Sequence, residues 1–385
     1  IGYQAGKALT TSANSVFIGY QAGAVHTGGN NVAIGDRAFH NTDAGASSLA
    51  SSKNVAVGNR ALGGDHTDAA FEGTVALGYY ALGNATMGGI NYNIATGMES
   101  QQANTGGQNV AIGYATLKVA DGGETGNIAI GTSTMDAVNN DGSDHNVAVG
   151  NYSLRGGTGL LARNIAIGHQ SMDGTGAVAG SDNTFIGYQA GSGTWTTAAS
   201  NYNIGIGNYV MDGALNGAVN NVALGHNALS SIETEDANVA IGSEAMYQGG
   251  GSQNIAIGDK AMYQGPTGGT NYAIGRYSMM DANAGSNALS SNSNIAIGHS
   301  ALGGTWADAD SNRNIAIGHN AMDAGVDGAL DNVAIGHHAL GSLTSGDYNT
   351  ALGSNAGLSL TTGGSNVVIG YLAGDTMTNT GNTVL

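Results

Sequence analysis

"NIAIGHNAM", Asn314 to Met322, returns eighteen residues on as "NVAIGHHAL", Asn332 to Leu340. The same columns recur as NVAIGDRAF (Asn31–Phe39), NVAVGNRAL (Asn54–Leu62) and NIAIGHQSM (Asn164–Met172). Anchored on the glycine, 21 copies run from Gly2 to Gly370 at spacings of 16 to 23 residues. A period in this range marks a stacked repeat, in which each unit is stable only against its neighbours. Four residues before the glycine stands Asn in 18 of the 20 full repeats, with Ser15 and Thr74 as the exceptions. Val or Ile usually follows, then Ala in 16 of 20, then Ile, Val or Leu everywhere except Thr96.

Val-Ala-Ile alternates with the period of a β-strand, branched side chains on one face and a small one on the other. The invariant glycine marks a turn through a backbone angle that a side chain resists. Two polar residues, a small residue and then Leu or Met follow, and this pattern predicts a second short strand folding back. A loop rich in Gly, Asn, Asp, Ser and Thr returns the chain to the next Asn. The fold expected is all-β, a parallel β-solenoid with about one coil per 16–23-residue repeat. The Asn column, with Asn31, Asn164, Asn314 and Asn332 as members, can form a hydrogen-bonded ladder at the strand spacing, or can simply suit the turn. Both faces of the first strand are apolar. The branched face can fill the coil's interior, at roughly 1.5–3 kcal/mol per buried Ile or Val. The small Ala face then permits close approach of a second layer, either another chain or an internal one.

Bulk composition agrees with a repeat array. Of 385 residues 67 are Gly and one is Pro, only 10% are charged, and Cys is absent. Without Cys there are no disulfides and no thiolate metal sites. A net charge of −17 disfavours nucleic acid and anionic lipid, which need a basic surface. No apolar run approaches the roughly 20 residues of a membrane span, so no membrane insertion is expected in this segment. The whole chain, 1–385, reads as a single continuous array. It opens on "IGYQAG" inside one repeat and closes on "NTVL" before the next glycine, as a segment of a longer protein cut mid-repeat at both ends would.

The motif N-[VI]-A-I-G-x-x-[AS]-[LM] resembles the head repeats of trimeric autotransporter adhesins, whose consensus contains S-V-A-I-G. The variant "NTFIGYQAG" at Asn183–Gly191 is similar to repeats of phage tail-fibre proteins and of bacterial surface proteins with a C-terminal chaperone domain. The resemblance covers the whole chain, although the loops here are longer and less uniform than in the adhesins. It implies a left-handed β-roll, a homotrimer in which the second layer is a trimer mate, and an extracellular place on a virion tail fibre or a cell surface. The function it implies is a fibre shaft presenting variable loops to a glycan or protein receptor, with a tail fibre favoured. The alternatives are a purely structural filament, a bacterial trimeric surface adhesin, and a glycan-degrading tailspike. No cofactor is expected, and the chain is not expected to be an enzyme.

Candidate sites follow from the columns. Trp195 and Trp306 are the only tryptophans and stand in variable loops, where an exposed ring could stack on a sugar or could instead cap loop packing. Tyr247 and Tyr263, both in "MYQG", occupy the same place in adjacent coils and are expected to stack. His299, His319 and His337 follow the glycine in successive coils, a ladder that could bind a transition metal. The same column also holds Asp36, Asp259 and Arg276, which points instead to a solvated turn. The calcium-roll nonapeptide is absent, and Gly265–Gly269 lacks the context of a phosphate loop. "ETED" (Glu233–Asp236) is the densest acidic cluster and reads as a solvated face rather than a glycosidase pair.

Overall fold

The computed structural model describes residues 1–7, 14–25, 28–40, 51–64, 71–84, 91–103, 106–119, 123–140, 142–248, 250–282, 290–306, 309–378 and 380–384. These residues contain β-strands and turns and no helix, hence no helix long and apolar enough to cross a membrane. The chain divides into two compact units, Ile1–Asn201 and Tyr202–Leu385. Each is a parallel β-solenoid built in the same way.

In the first unit, ten three-residue strands run from Val16–Ile18 to Thr184–Ile186, with a short extra pair, Leu161–Ala162 and Gly180–Ser181. In the second, ten run from Ile204–Ile206 to Val367–Ile369 and are followed by Thr383–Val384. Pairing is parallel and in register. Val147, Ile165 and Thr184 align in the first unit, as do Ile295, Ile315 and Val333 in the second. A three-residue strand has no stability alone, so the fold rests on repetition of one register.

The two faces are reversed relative to the sequence expectation. In all twenty three-residue strands the middle residue is buried, and neither flanking residue is. Ala fills the coil while Val and Ile face out. The interior is too narrow for branched side chains on the strand because the residues after the glycine already occupy it. Ala321 and Met322 are completely buried, as are Ala339 and Leu340.

That crowding shows in a size exchange between two columns. Where the strand's middle residue is Phe17 or Phe185, the Leu/Met position holds Gly23 or Gly191. A Cβ on Gly23 would lie 2.7 Å from the Phe17 ring, and one on Gly191 would lie 2.8 Å from the Phe185 ring. Where the middle residue is Gly205, the next column takes Val210 in place of Ala. In these coils a gain of volume in one column is matched by a loss in the other, as dense interiors require.

The segment after the glycine is a turn, not the second strand expected. Its second and fourth residues adopt left-handed backbone: Asn320 (φ 54°) and Met322 (φ 50°), then His338 (φ 52°) and Leu340 (φ 50°) in the next coil. Such angles cost a side-chain-bearing residue about 1–2 kcal/mol each. Backbone bonds to the neighbouring coils hold them, including His338 N–H to the His319 carbonyl and Met322 N–H to the Ala339 carbonyl, both 3.0 Å. Peptide groups here thus stay paired without β geometry. The anchor glycines are fixed twice over. Gly35 has φ 138°, and a Cβ on it would meet the Gly58 carbonyl oxygen of the next coil at 2.5 Å.

The Asn side chains run as a buried ladder at the mouth of each strand. Oδ1 of Asn314 accepts the Asn332 backbone N–H at 3.1 Å and Nδ2 at 3.0 Å, while Asn314 Nδ2 donates to the Ala329 carbonyl at 2.7 Å. Asn164 repeats the pattern toward Asn183 and Gly180, and Asn31 toward Asn54 and Ser51. One amide, with two N–H donors and a carbonyl oxygen, satisfies donors and acceptors of two coils; a hydroxyl has one donor fewer and an ionised carboxylate has none.

Candidate functional site

The tryptophans do not present binding surfaces. Trp195 is 1% exposed and Trp306 is fully buried. Trp195 packs its ring against Gly180, and the Trp306 indole donates to the Leu302 carbonyl at 3.3 Å. Of the two readings the sequence offers, an exposed ring for a sugar or packing of the loops, burial fits the packing. Burial of so large an apolar side chain outweighs anything a loop gains by displaying it.

The histidines form a column but do not converge. His299 and His319 stack at 4.9 Å with 9° between planes, and His319 and His337 at 5.3 Å with 24°. Tyr277 continues the column edge-on to His299 at 5.7 Å. All three imidazoles are exposed. Rings stacked at the coil spacing keep their nitrogens apart, whereas ligands about 2.0–2.1 Å from one metal must converge. Among the described residues no group of three or more metal-ligating side chains is placed to hold an ion. His338 stands at 4.2 Å across His337 and 3.9 Å from Asp323. Burial pushes the Asp323 carboxyl above its ordinary range, and the nearby imidazoles, His338 first, pull it part of the way back.

Tyr247 and Tyr263 stack at 5.2 Å and 11°, half-buried, with Lys260 Nζ 5.2 Å from the Tyr263 ring and 3.4 Å from Glu244. Each ring is thereby partly covered by its own surroundings. More exposed tyrosines stand just before the Asn column: Tyr92, Tyr202 and Tyr348, each between 55% and 61% exposed. The repeated "NYN" at Asn91–Asn93 and Asn201–Asn203 is their sequence signal. They fall in separate coils and make no common platform.

The strands also present an outward aliphatic face. Each strand contributes two side chains, and Ile204, Leu224, Ile274, Ile297, Ile335, Leu352 and Ile369 are 36–46% exposed in the second unit. Ile18, Ile34, Leu77, Ile112 and Ile165 do the same in the first. The sequence displays these residues plainly; the direction they face is what it conceals. No known protein family and no curated protein sequence matches the chain.

Proposed function

We propose that this chain is a stretch of shaft in a homotrimeric extracellular fibre, carried on a virion tail or a cell surface and serving attachment. The uncovered aliphatic face carries the reading. Two Val, Ile or Leu side chains in most coils, and one in the strands with Thr96, Thr184, Tyr272 and Thr350, repeat at the strand spacing of about 4.8 Å. A contiguous apolar surface of this kind marks an interface. Only a partner with the same rise can cover it coil after coil, and a second copy of the chain has that rise by construction. Three copies around one axis each cover the others and leave the loop side free.

Light scattering of the native, unheated protein tests the assembly. Three chains per particle is the expected result, and a particle of one 38.1 kDa chain refutes it. The triple variant Ile297→Glu, Ile317→Glu, Ile335→Glu is expected to dissociate while keeping its β signal. The second reading is a filament with no dedicated receptor. Burial of both tryptophans favours it over a tryptophan-based receptor site, and binding to intact host cells distinguishes the two.

A further inference from the structure

Most cations in this chain pair with a carboxylate of the neighbouring coil. Seven of the ten Lys and Arg residues lie within 4.0 Å of a carboxylate, among them Arg163 with Asp182 and Arg313 with Asp331. Among the described residues, Lys7, Arg37 and Arg60 have no such partner. Arg37 and Arg60 occupy the same column of adjacent coils, two positions after Gly35 and Gly58. Two like charges side by side repel, and here nothing on the chain is seen to offset them.

Both arginines line one cleft of about 380 Å³, together with Gln21, His40, Tyr80, Asn84 and three glycines. Among the described residues no Asp or Glu lines it. The guanidinium groups are held in place by neutral partners. Arg37 Nε donates to Gln21 Oε1 at 3.3 Å and lies over the Tyr20 ring, and Arg60 donates to the Tyr80 hydroxyl and lies over the Tyr80 ring. Such contacts orient a guanidinium and leave its charge and remaining N–H donors available. Among the described residues, the acids of these columns are bonded to other partners: Asp36 accepts from Asn59 at 3.1 Å, and Glu99 pairs with Lys118 at 2.7 Å.

We propose that this cleft is a binding site for an anionic sugar residue, one carrying a carboxylate or sulfate group. Paired guanidiniums suit the planar or tetrahedral oxyanion. The Gln21 and Asn84 amides and the Tyr80 hydroxyl suit ring hydroxyls, and the volume lies in the range of small-ligand pockets. The remaining surface, with the chain at −17, repels nucleic acid and densely sulfated polymers. The site therefore selects sparsely charged glycans. This deepens the attachment reading by naming its ligand and rests on it in that respect. The cleft lies within one chain, so its failure and a failure to assemble are read separately.

Calorimetric titration of the full chain at low salt tests it, with a galacturonic acid tetrasaccharide, a mono-sulfated galactose disaccharide, neutral maltotetraose and inorganic sulfate as probes. At least one of the two acidic saccharides is expected to bind, more tightly than inorganic sulfate, and maltotetraose is not. Arg37→Gln and Arg60→Gln are each expected to weaken binding at least tenfold with unchanged circular dichroism, whereas Arg313→Gln leaves it unaltered. Equal binding of maltotetraose overturns the proposal, as does inorganic sulfate binding as tightly as the saccharides, which would make the cleft a free-oxyanion site. Absence of binding by every probe overturns it too, since the arginines would then be neutralised by the chain itself.

Discussion

Replacing Phe185 and Gly191, singly and together, tests how the coil interior is filled. Phe185 is fully buried, and its ring lies where the Cβ of any residue at 191 would project, 2.8 Å away. Phe185→Ala alone removes the ring and leaves a cavity, at a cost of about 3–5 kcal/mol. Gly191→Leu alone drives a side chain into the ring, and overpacking of this kind costs about 1–3 kcal/mol. Together the two changes recreate the arrangement of the Ala56 and Leu62 coil, where Ala and Leu share the same space and are both fully buried. Leu62 adopts φ 49°, close to the 63° of Gly191, so the backbone accepts the exchange. The double variant should lie within about 1 kcal/mol of the parent, a coupling of at least about 3 kcal/mol against additivity. Urea unfolding by circular dichroism, with hydrogen exchange at the Thr184–Ile186 strand as local readout, measures it. Additive single costs would refute the shared interior.

Three further outcomes follow from the same geometry. Gly318→Ala places a methyl against the Gly336 carbonyl at φ 140°, and hydrogen exchange should show local unfolding of the coils on both sides. Asn314→Ala strips the acceptor from Asn332 and the donor from the Ala329 carbonyl, and should cost at least about 2–3 kcal/mol in urea unfolding. Burial raises the carboxyl pKa values of Asp136, Asp212, Asp281 and Asp323, so the folded chain holds these protons more tightly than the unfolded one. Their ionisation therefore costs stability above the raised pKa values, and the cost is relieved as pH falls from neutral toward about 4. Glu72, Asp182 and Asp331 work the other way, losing their stabilising contribution only as pH drops through their lowered values. Melting temperature should accordingly rise as the pH is lowered from neutral toward about 4, and Asp281→Asn should flatten that rise.

The repeat, its strand, the glycine turn and the Asn column were all legible because each recurs at a fixed offset from Gly2 to Gly370. Repetition makes a physical constraint visible without a second sequence. The direction of the strand faces was not legible from Val-Ala-Ile, because either face is apolar and the motif does not state the width of the interior. Phe17 with Gly23 and Phe185 with Gly191 did carry that information: residues that exchange size share a space. The turn was read as a strand because its buried Ala and Leu/Met mimic alternation, while left-handed backbone at residues such as Leu340 and Met322 leaves no mark in composition. The tryptophan loops look like exposed tips by their Gly, Thr and Asp content, yet both rings are buried, Trp195 against Gly180 and Trp306 on the Leu302 carbonyl. The histidine column was visible, but the stacked spacing that prevents convergence belongs to the coil rise and not to the motif.

Cysteine labelling across one repeat tests most directly that Val and Ile face outward, since the chain has no Cys of its own. Single variants Met322→Cys and Ile317→Cys are treated under native conditions with a thiol reagent and, separately, with an oxidant. Met322→Cys should remain unlabelled until the protein unfolds. Ile317→Cys should label in the native state or oxidise to a disulfide between chains. An Ile317→Cys thiol as protected as Met322→Cys in a particle that light scattering shows to be a single folded chain would place the branched residues inside the coil and contradict the account.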